Sequence, residues 1–196
     1  METEPDATTL RACREGDRAA LGSVLLAHAP MLERFLSRLV GPSPDVADLL
    51  QQTFAAAIVA FPRFRGDARV STWLCSIAVH VAHRWLRGPE RRRTVALELV
   101  SATRLRDDTA DPGDRVDRRR LQRRLYEHLD AIGPKKRIAF VLHVLEERPI
   151  EEVAALMGAT RAATKSRIFW ARRALVRAVV HDSILRELLE RKEHRR

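Results

Sequence analysis

Cysteine is scarce in this chain: its 196 residues include only Cys13 and Cys75, with no CxxC pair and no Cys/His cluster. That argues against a structural zinc site, and two isolated thiols fit a reducing compartment. Long apolar runs are missing as well. No segment approaches the roughly 18 apolar residues that a membrane span needs. The acidic N-terminus METEPDATTL lacks the basic start and apolar run of a signal peptide. No membrane insertion is expected, and the chain is placed in the cytoplasm. No Ser/His/Asp arrangement, metal-ligand spacing or Gly-rich phosphate loop occurs, so no catalytic residue, cofactor or metal is expected and the protein is read as no enzyme. Strand-like alternation persists nowhere, which leaves an all-α fold.

Positive charge, by contrast, is abundant. Thirty-six Lys and Arg against 26 Asp and Glu give a formal net charge of +10. That excess favours phosphate-rich partners through counterion release and long-range steering. Acidic protein surfaces and anionic lipids are the other candidates. Aromatics make up 5% of the chain, yet Phe61, Phe64, Trp73 and Trp85 fall in one basic stretch, FPRFRGDARVSTWLCSIAVHVAHRWLR. Either this is a core corner with a solvated rim, or it grips something flat and negatively charged.

Helical spacing organises the rest. Leu21, Val24, Leu25, Leu32, Leu36 and Leu39 recur at steps of three, four and seven until GPSP breaks the pattern. A second helix is expected from about Asp45 to Ala60, burying Leu50, Phe54, Ala57, Ile58 and Phe61. A third is expected from near Ser71 to Arg87, stopped by Gly88-Pro89. Residues 88–116 mix charges of both signs around DPGD and read as a flexible linker. Periodicity returns at Leu121, Leu125 and Leu129 and continues to the end. Two small helical domains, 8–87 and 117–181, are expected, with a charged helix or tail over 182–196.

The segment PIEEVAALMGATRAATKSRIFWARRAL carries the clearest pattern. A short helix over Ile150 to Met157 is expected to bury Val153, Ala154 and Met157. Gly158 supplies a left-handed turn, and Thr160 caps a second helix. That helix repeats Thr164, Ile168, Ala171 and Leu175, one buried stripe. Its outward face offers Arg161, Lys165, Ser166, Phe169, Trp170 and Arg173. This is a helix-turn-helix whose second helix is placed to enter a major groove, with Lys and Arg on phosphates or guanine edges and Phe169 on a thymine methyl. The bland alternative is a helical hairpin with a basic solvated face. Upstream, Lys135, Lys136 and Arg137 either add backbone contacts or form a solvated charge run.

Near the N-terminus, DLLQQTF sets Asp48, Gln51 and Gln52 on one helix face. Taken alone, such a face is usually only soluble. Taken together, DLLQQTF, then RFRGDARVSTWL, then a linker and a helix-turn-helix resemble the extracytoplasmic-function class of bacterial RNA polymerase sigma factors, over nearly the whole chain. The resemblance implies a sigma region 2 bundle and a sigma region 4 helix-turn-helix. It also implies an alternative sigma factor that binds core RNA polymerase (β′ clamp helices and β flap), reads the −10 and −35 elements of promoter DNA and is held by an anti-sigma factor. Asp48, Gln51 and Gln52 match the face that docks on the clamp helices; the third position is commonly Glu and is Gln52 here.

By the same resemblance, RFRGDARVSTWL matches the loop and helix that read the −10 element as melted strand. Aromatic and Arg side chains cover an unstacked base while basic groups track its backbone. Arg65, Asp67, Ala68, Arg69 and Ser71 fall in this pocket, with Trp73, His80 and Arg84 on the following helix. Many relatives have Asn where His80 stands. Housekeeping relatives have two adjacent Trp where this chain has Trp73 and Leu74, and Trp73 is either such a wedge or core. In the helix-turn-helix, Ala163-Thr164 replaces the usual Thr-Val, and Trp170 replaces what is often a basic residue, so an altered −35 preference is expected. The competing reading is a stand-alone helix-turn-helix regulator that needs no polymerase.

Overall fold

The computed structural model describes residues 4–41, 43–88 and 112–183, with only the backbone described for 112–119. Among these residues there are eight α-helices and no strand. Residues 89–111 of the expected linker (88–116) and residues 184–196 of the expected tail (182–196) lie outside the described residues.

The first unit is built from α1 (Ala7–Arg14), α2 (Arg18–Val40), α3 (Val46–Ala60) and α4 (Val70–Arg87). Carboxylates start the first two helices. Asp6 accepts from the Thr9 amide at 2.7 Å, and Asp17 from those of Ala19 and Ala20 at 2.9 and 3.0 Å, satisfying donors that a helix start leaves open. Helices α2, α3 and α4 pack on one another as a three-helix bundle, and α1 lies along α2. Leu32, Leu36 and Leu39 of α2 are fully buried with Leu49 of α3 and Leu74 of α4; each such side chain contributes roughly 1.5–3 kcal/mol of burial.

Helix α3 is rotated from its expected setting. Its buried residues are Val46, Leu49, Thr53 and Ala57, followed by Phe61. Leu50 and Phe54 are only partly buried, and Ile58 is 51% exposed. Leu49 and Leu50 are both apolar, so the stripe is ambiguous by one position in sequence. Thr53 resolves it: its hydroxyl donates to the Leu49 carbonyl at 2.7 Å, which lets a polar residue sit in the core at small cost.

The second unit holds α5 (Pro112–Ala131), α6 (Pro134–Phe140) with a π-helical turn over Val141–Leu145, α7 (Ile150–Leu156) and α8 (Arg161–His181). Helix α5 begins inside the span expected to be linker. Pro112 suits a first helical position, where no amide donor is needed. At the far end, Asp182 is not tail. It is buried and accepts from Arg124 Nε at 2.6 Å, and it pairs with His128 Nε2 at 2.7 Å, tying the end of α8 to α5.

The two units pack together, α6 and α7 lying against α4. Arg137 Nε donates to the Leu39 carbonyl at 2.9 Å, and the Tyr126 hydroxyl to the Arg38 carbonyl at 2.6 Å. Arg38 pairs with Glu146, and the Arg148 guanidinium stands 5.3 Å over the Phe35 ring. Gly41 makes this junction possible. Its φ is +83°, and a Cβ there would lie 2.8 Å from Tyr126 Cδ1. Burial pushes the Tyr126 phenol up to about 12, so it remains a donor.

Candidate polymerase and nucleic-acid interface

Asp48, Gln51 and Gln52 are exposed on α3, opposite the packed face of Leu49 and Thr53. Asp48 also sits in the first turn, where a carboxylate suits the helix dipole. The same face continues through Ala55 to Val59, which is 81% exposed. Sequence reading missed Val59 because it assigned the neighbouring Ile58 to the core; spacing of eleven from Asp48 and seven from Gln52 was the available signal.

A 3₁₀ turn, Phe61–Arg63, and an open loop join α3 to α4. Phe61, Phe64 and Trp73 form one aromatic cluster, with ring centroids 5.0–5.5 Å apart. Phe61 and Phe64 are buried and Trp73 is half-buried. The aromatics are therefore a core corner, and the residues on its rim are the exposed ones. Arg65, Asp67, Ala68 and Arg69 are all exposed on the loop, which turns at Gly66 with φ +86°. Ser71 is half-buried and engaged, since its amide, its hydroxyl and the Val70 amide donate to the Glu4 carboxylate at 3.3, 3.0 and 3.0 Å.

Trp73, His80 and Arg84 follow one another on α4 at steps of seven and four, one stripe of the helix. His80 is exposed, and its Nδ1 lies 2.8 Å from the Ser76 carbonyl. That carbonyl accepts from Nδ1–H, so a neutral His80 presents Nε2 outward as an acceptor. An Asn at this position would offer both a donor and an acceptor.

Beside His80 lies a cleft of about 230 Å³ between the two units, lined by Val79, His83, Lys135, Ile138, Met157 and Arg167 among others. Burial lowers the His83 pKa, and the cations of Lys135, Arg87, His80 and Arg167 lower it further. The unfolded chain therefore takes up this proton first. The stability that neutral His83 contributes is present above about pH 6.5 and is lost as the pH falls below it. Thermal melts at pH 7.5 and 5.5 are expected to show a larger drop for the wild type than for His83→Gln. Equal drops would contradict this placement.

The helix-turn-helix forms as its sequence requires. Gly158 takes φ +54°. Thr160 Oγ1 accepts from the Ala163 amide at 3.2 Å. The Thr164 hydroxyl donates to the Thr160 carbonyl at 3.0 Å, so Thr164 is buried yet satisfied. In α7 Leu156 is buried, while Met157, expected in the core, is half-buried. Thr164, Ile168, Ala171 and Leu175 are the buried stripe of α8. Arg161, Lys165, Ser166, Phe169, Trp170 and Arg173 are all exposed. Phe169 and Trp170 stack edge to face at 5.4 Å, and the Arg173 guanidinium stands 5.9 Å from the Trp170 ring. Arg161 also pairs with Glu151 of α7 at 2.5 Å.

Arg137 departs from expectation. It is 1% exposed, paired with Asp130, bonded to the Leu39 carbonyl and set 5.1 Å over the Tyr126 ring. A guanidinium held on three sides inside the junction cannot also reach DNA in this arrangement. Lys135 and Lys136, beside it in sequence, are exposed.

Comparison with known proteins bears on both units. The family model Sigma-70 region 2 matches residues 24–93, and Sigma-70, region 4 matches residues 122–175. RNA polymerase sigma factor CarQ of Myxococcus xanthus is 32% identical over 157 residues, covering 79% of this chain and 86% of its own. The chain belongs to the extracytoplasmic-function sigma factors of the sigma-70 family. The ECF RNA polymerase sigma-E factor of Escherichia coli K12 is 28% identical over 176 residues, covering 87% and 92%. Two solved structures share the fold. CnrH in complex with the cytosolic domain of CnrY has a TM-score of 0.58 at 23% identity, covering 91% of this chain and 99% of that one. The sigma factor RpoE in complex with the anti-sigma factor NepR from Bartonella quintana has 0.56 at 22%, covering 82% and 97%. This sigma factor binds core RNA polymerase and directs promoter-specific initiation; its family is one of non-enzymatic initiation factors. A stand-alone regulator is set aside, because region 2 accounts for the N-terminal half. No described helix is long and apolar enough to cross a membrane.

Proposed function

We propose that the sigma factor divides its work among three exposed faces. Asp48, Gln51 and Gln52 of α3 dock on the β′ clamp helices of polymerase, and the second unit meets the β flap. Arg65, Asp67, Ala68, Arg69 and Ser71 take the −10 element as single strand, with Trp73, His80 and Arg84 along α4. Arg161, Lys165, Ser166, Phe169, Trp170 and Arg173 of α8 read the −35 duplex. Arg137 is left out of this set, because it holds the junction. The chain works beside polymerase in the cytoplasm and carries out no catalysis. An anti-sigma factor holds it inactive; RpoE of Bartonella quintana, a protein of this fold, is solved with one.

The observation that carries the reading is on α3 and α4. The polar face of α3 is solvent-exposed opposite its packed face, and α3 leads through one aromatic corner into the exposed loop 65–69. Polymerase docking and strand capture thus sit on adjoining elements. Asp48→Lys tests the first. Core binding is expected to fall at least about tenfold, in the range that loss of an interfacial charge contact produces, while stability falls only by the roughly 0.3–1 kcal/mol that a first-turn charge contributes. Undiminished core binding would remove α3 from the interface.

A further inference from the structure

The start of α4 already holds an anion. Its N-cap residue, Arg69, makes no side-chain cap bond. The Glu4 carboxylate, 66 residues away in sequence, takes the Val70 amide instead. It also takes the Ser71 amide and hydroxyl. The segment is positioned rather than loose. Asp6 caps α1 two residues later, α1 packs on the Phe61–Arg63 turn, and Arg14 at the end of α1 stands 6.0 Å from the Phe64 ring. Burial raises the Glu4 pKa, but the bonds from Val70 and Ser71 outweigh it and leave the group below its ordinary value. It is therefore ionised at neutral pH.

We propose that Glu4 is an intramolecular competitor of the promoter strand: it fills the start of α4 and must leave before a phosphate or base acceptor of the −10 single strand reaches Val70 and Ser71. This rests on the assignment of the −10 site above. Two effects act together. The donors at a helix start are what a phosphate would use, and here they are spent on a carboxylate. The same carboxylate adds negative charge where a polyanion must approach. A cap made by a distant residue, when the helix has no local one, makes strand capture and N-terminal release a single exchange.

The test uses full-length chain bound to core polymerase and a fluorescent single-stranded oligonucleotide bearing the −10 element found by start-site mapping. Glu4→Gln and Glu4→Ala are expected to bind the strand about tenfold to a hundredfold tighter, the range for releasing hydrogen bonds to a charged group. Affinity for a −35 duplex stays unchanged, and any loss of cap strength shows separately as a lower melting temperature. Equal or weaker strand binding by both variants would overturn the competition and leave Glu4 a cap alone. Arg65→Ala combined with Arg69→Ala keeps the two readings apart. If that variant loses strand binding while the Glu4 variants gain none, only the competition fails. If it loses nothing, the −10 assignment fails and the competition with it.

Discussion

Arg137→Ala is expected to destabilise the protein by about 3 kcal/mol, the lower end for removing one partner of a buried ion pair. The guanidinium is buried, bridges Asp130 and the Leu39 carbonyl, and covers the Tyr126 ring. Asp130 keeps 30% of its side chain in solvent, so it can partly rehydrate, which sets the value at the low end. Arg137→Lys should recover little, because one ammonium cannot reproduce a planar fork that serves two acceptors at once. Chemical denaturation of the three proteins gives the comparison. Wild-type stability in Arg137→Ala, together with weaker binding to a −35 duplex, would restore Arg137 to the DNA face.

The second large effect separates the two aromatic groups. Phe61→Ala removes a ring that is fully buried against Phe64 and Trp73 and should destabilise by about 3–5 kcal/mol. Phe169→Ala removes a ring that is 56% exposed and should change stability by no more than about 0.5 kcal/mol. On the proposed −35 reading its effect falls on DNA instead: weaker binding to the −35 duplex and relaxed preference at one position, at unchanged melting temperature. If Phe61→Ala were nearly neutral, Phe61 would not be the packed centre of the aromatic corner that leads into loop 65–69.

Local chemistry was legible in the sequence; chemistry between distant residues was not. The helix-turn-helix could be read because its turn, cap and stripe lie within sixteen residues, from Thr160 to Leu175 with Gly158 before them, and each forms as its type demands. Ala57 and Phe61 of the α3 stripe are buried as expected, but its first turns were misplaced by one position because Leu49 and Leu50 are equally apolar, and the hydrogen bond from Thr53 distinguishes the faces. Arg137 was misread because Lys135, Lys136 and Arg137 look alike in a basic run, whereas its acceptor on Leu39 is 98 residues away. Glu4 was passed over for the same reason: METEPD reads only as an acidic N-terminus, and nothing local shows that its carboxylate ends at Ser71. Met157 and Asp182 were each assigned from position in a pattern; Met157 is half-buried, and Asp182 is drawn in by Arg124 and His128 of α5.

The central claim is that this chain gives core polymerase its choice of promoter. Transcription in vitro with purified bacterial core polymerase on a pool of upstream fragments from the source genome, with and without the protein, tests it directly. Sequencing of 5′ ends should show discrete starts only when the protein is present, preceded by two shared elements at a fixed spacing, and these starts should disappear with Asp48→Lys. An unchanged set of 5′ ends, with tight duplex binding by the protein alone, would contradict the account.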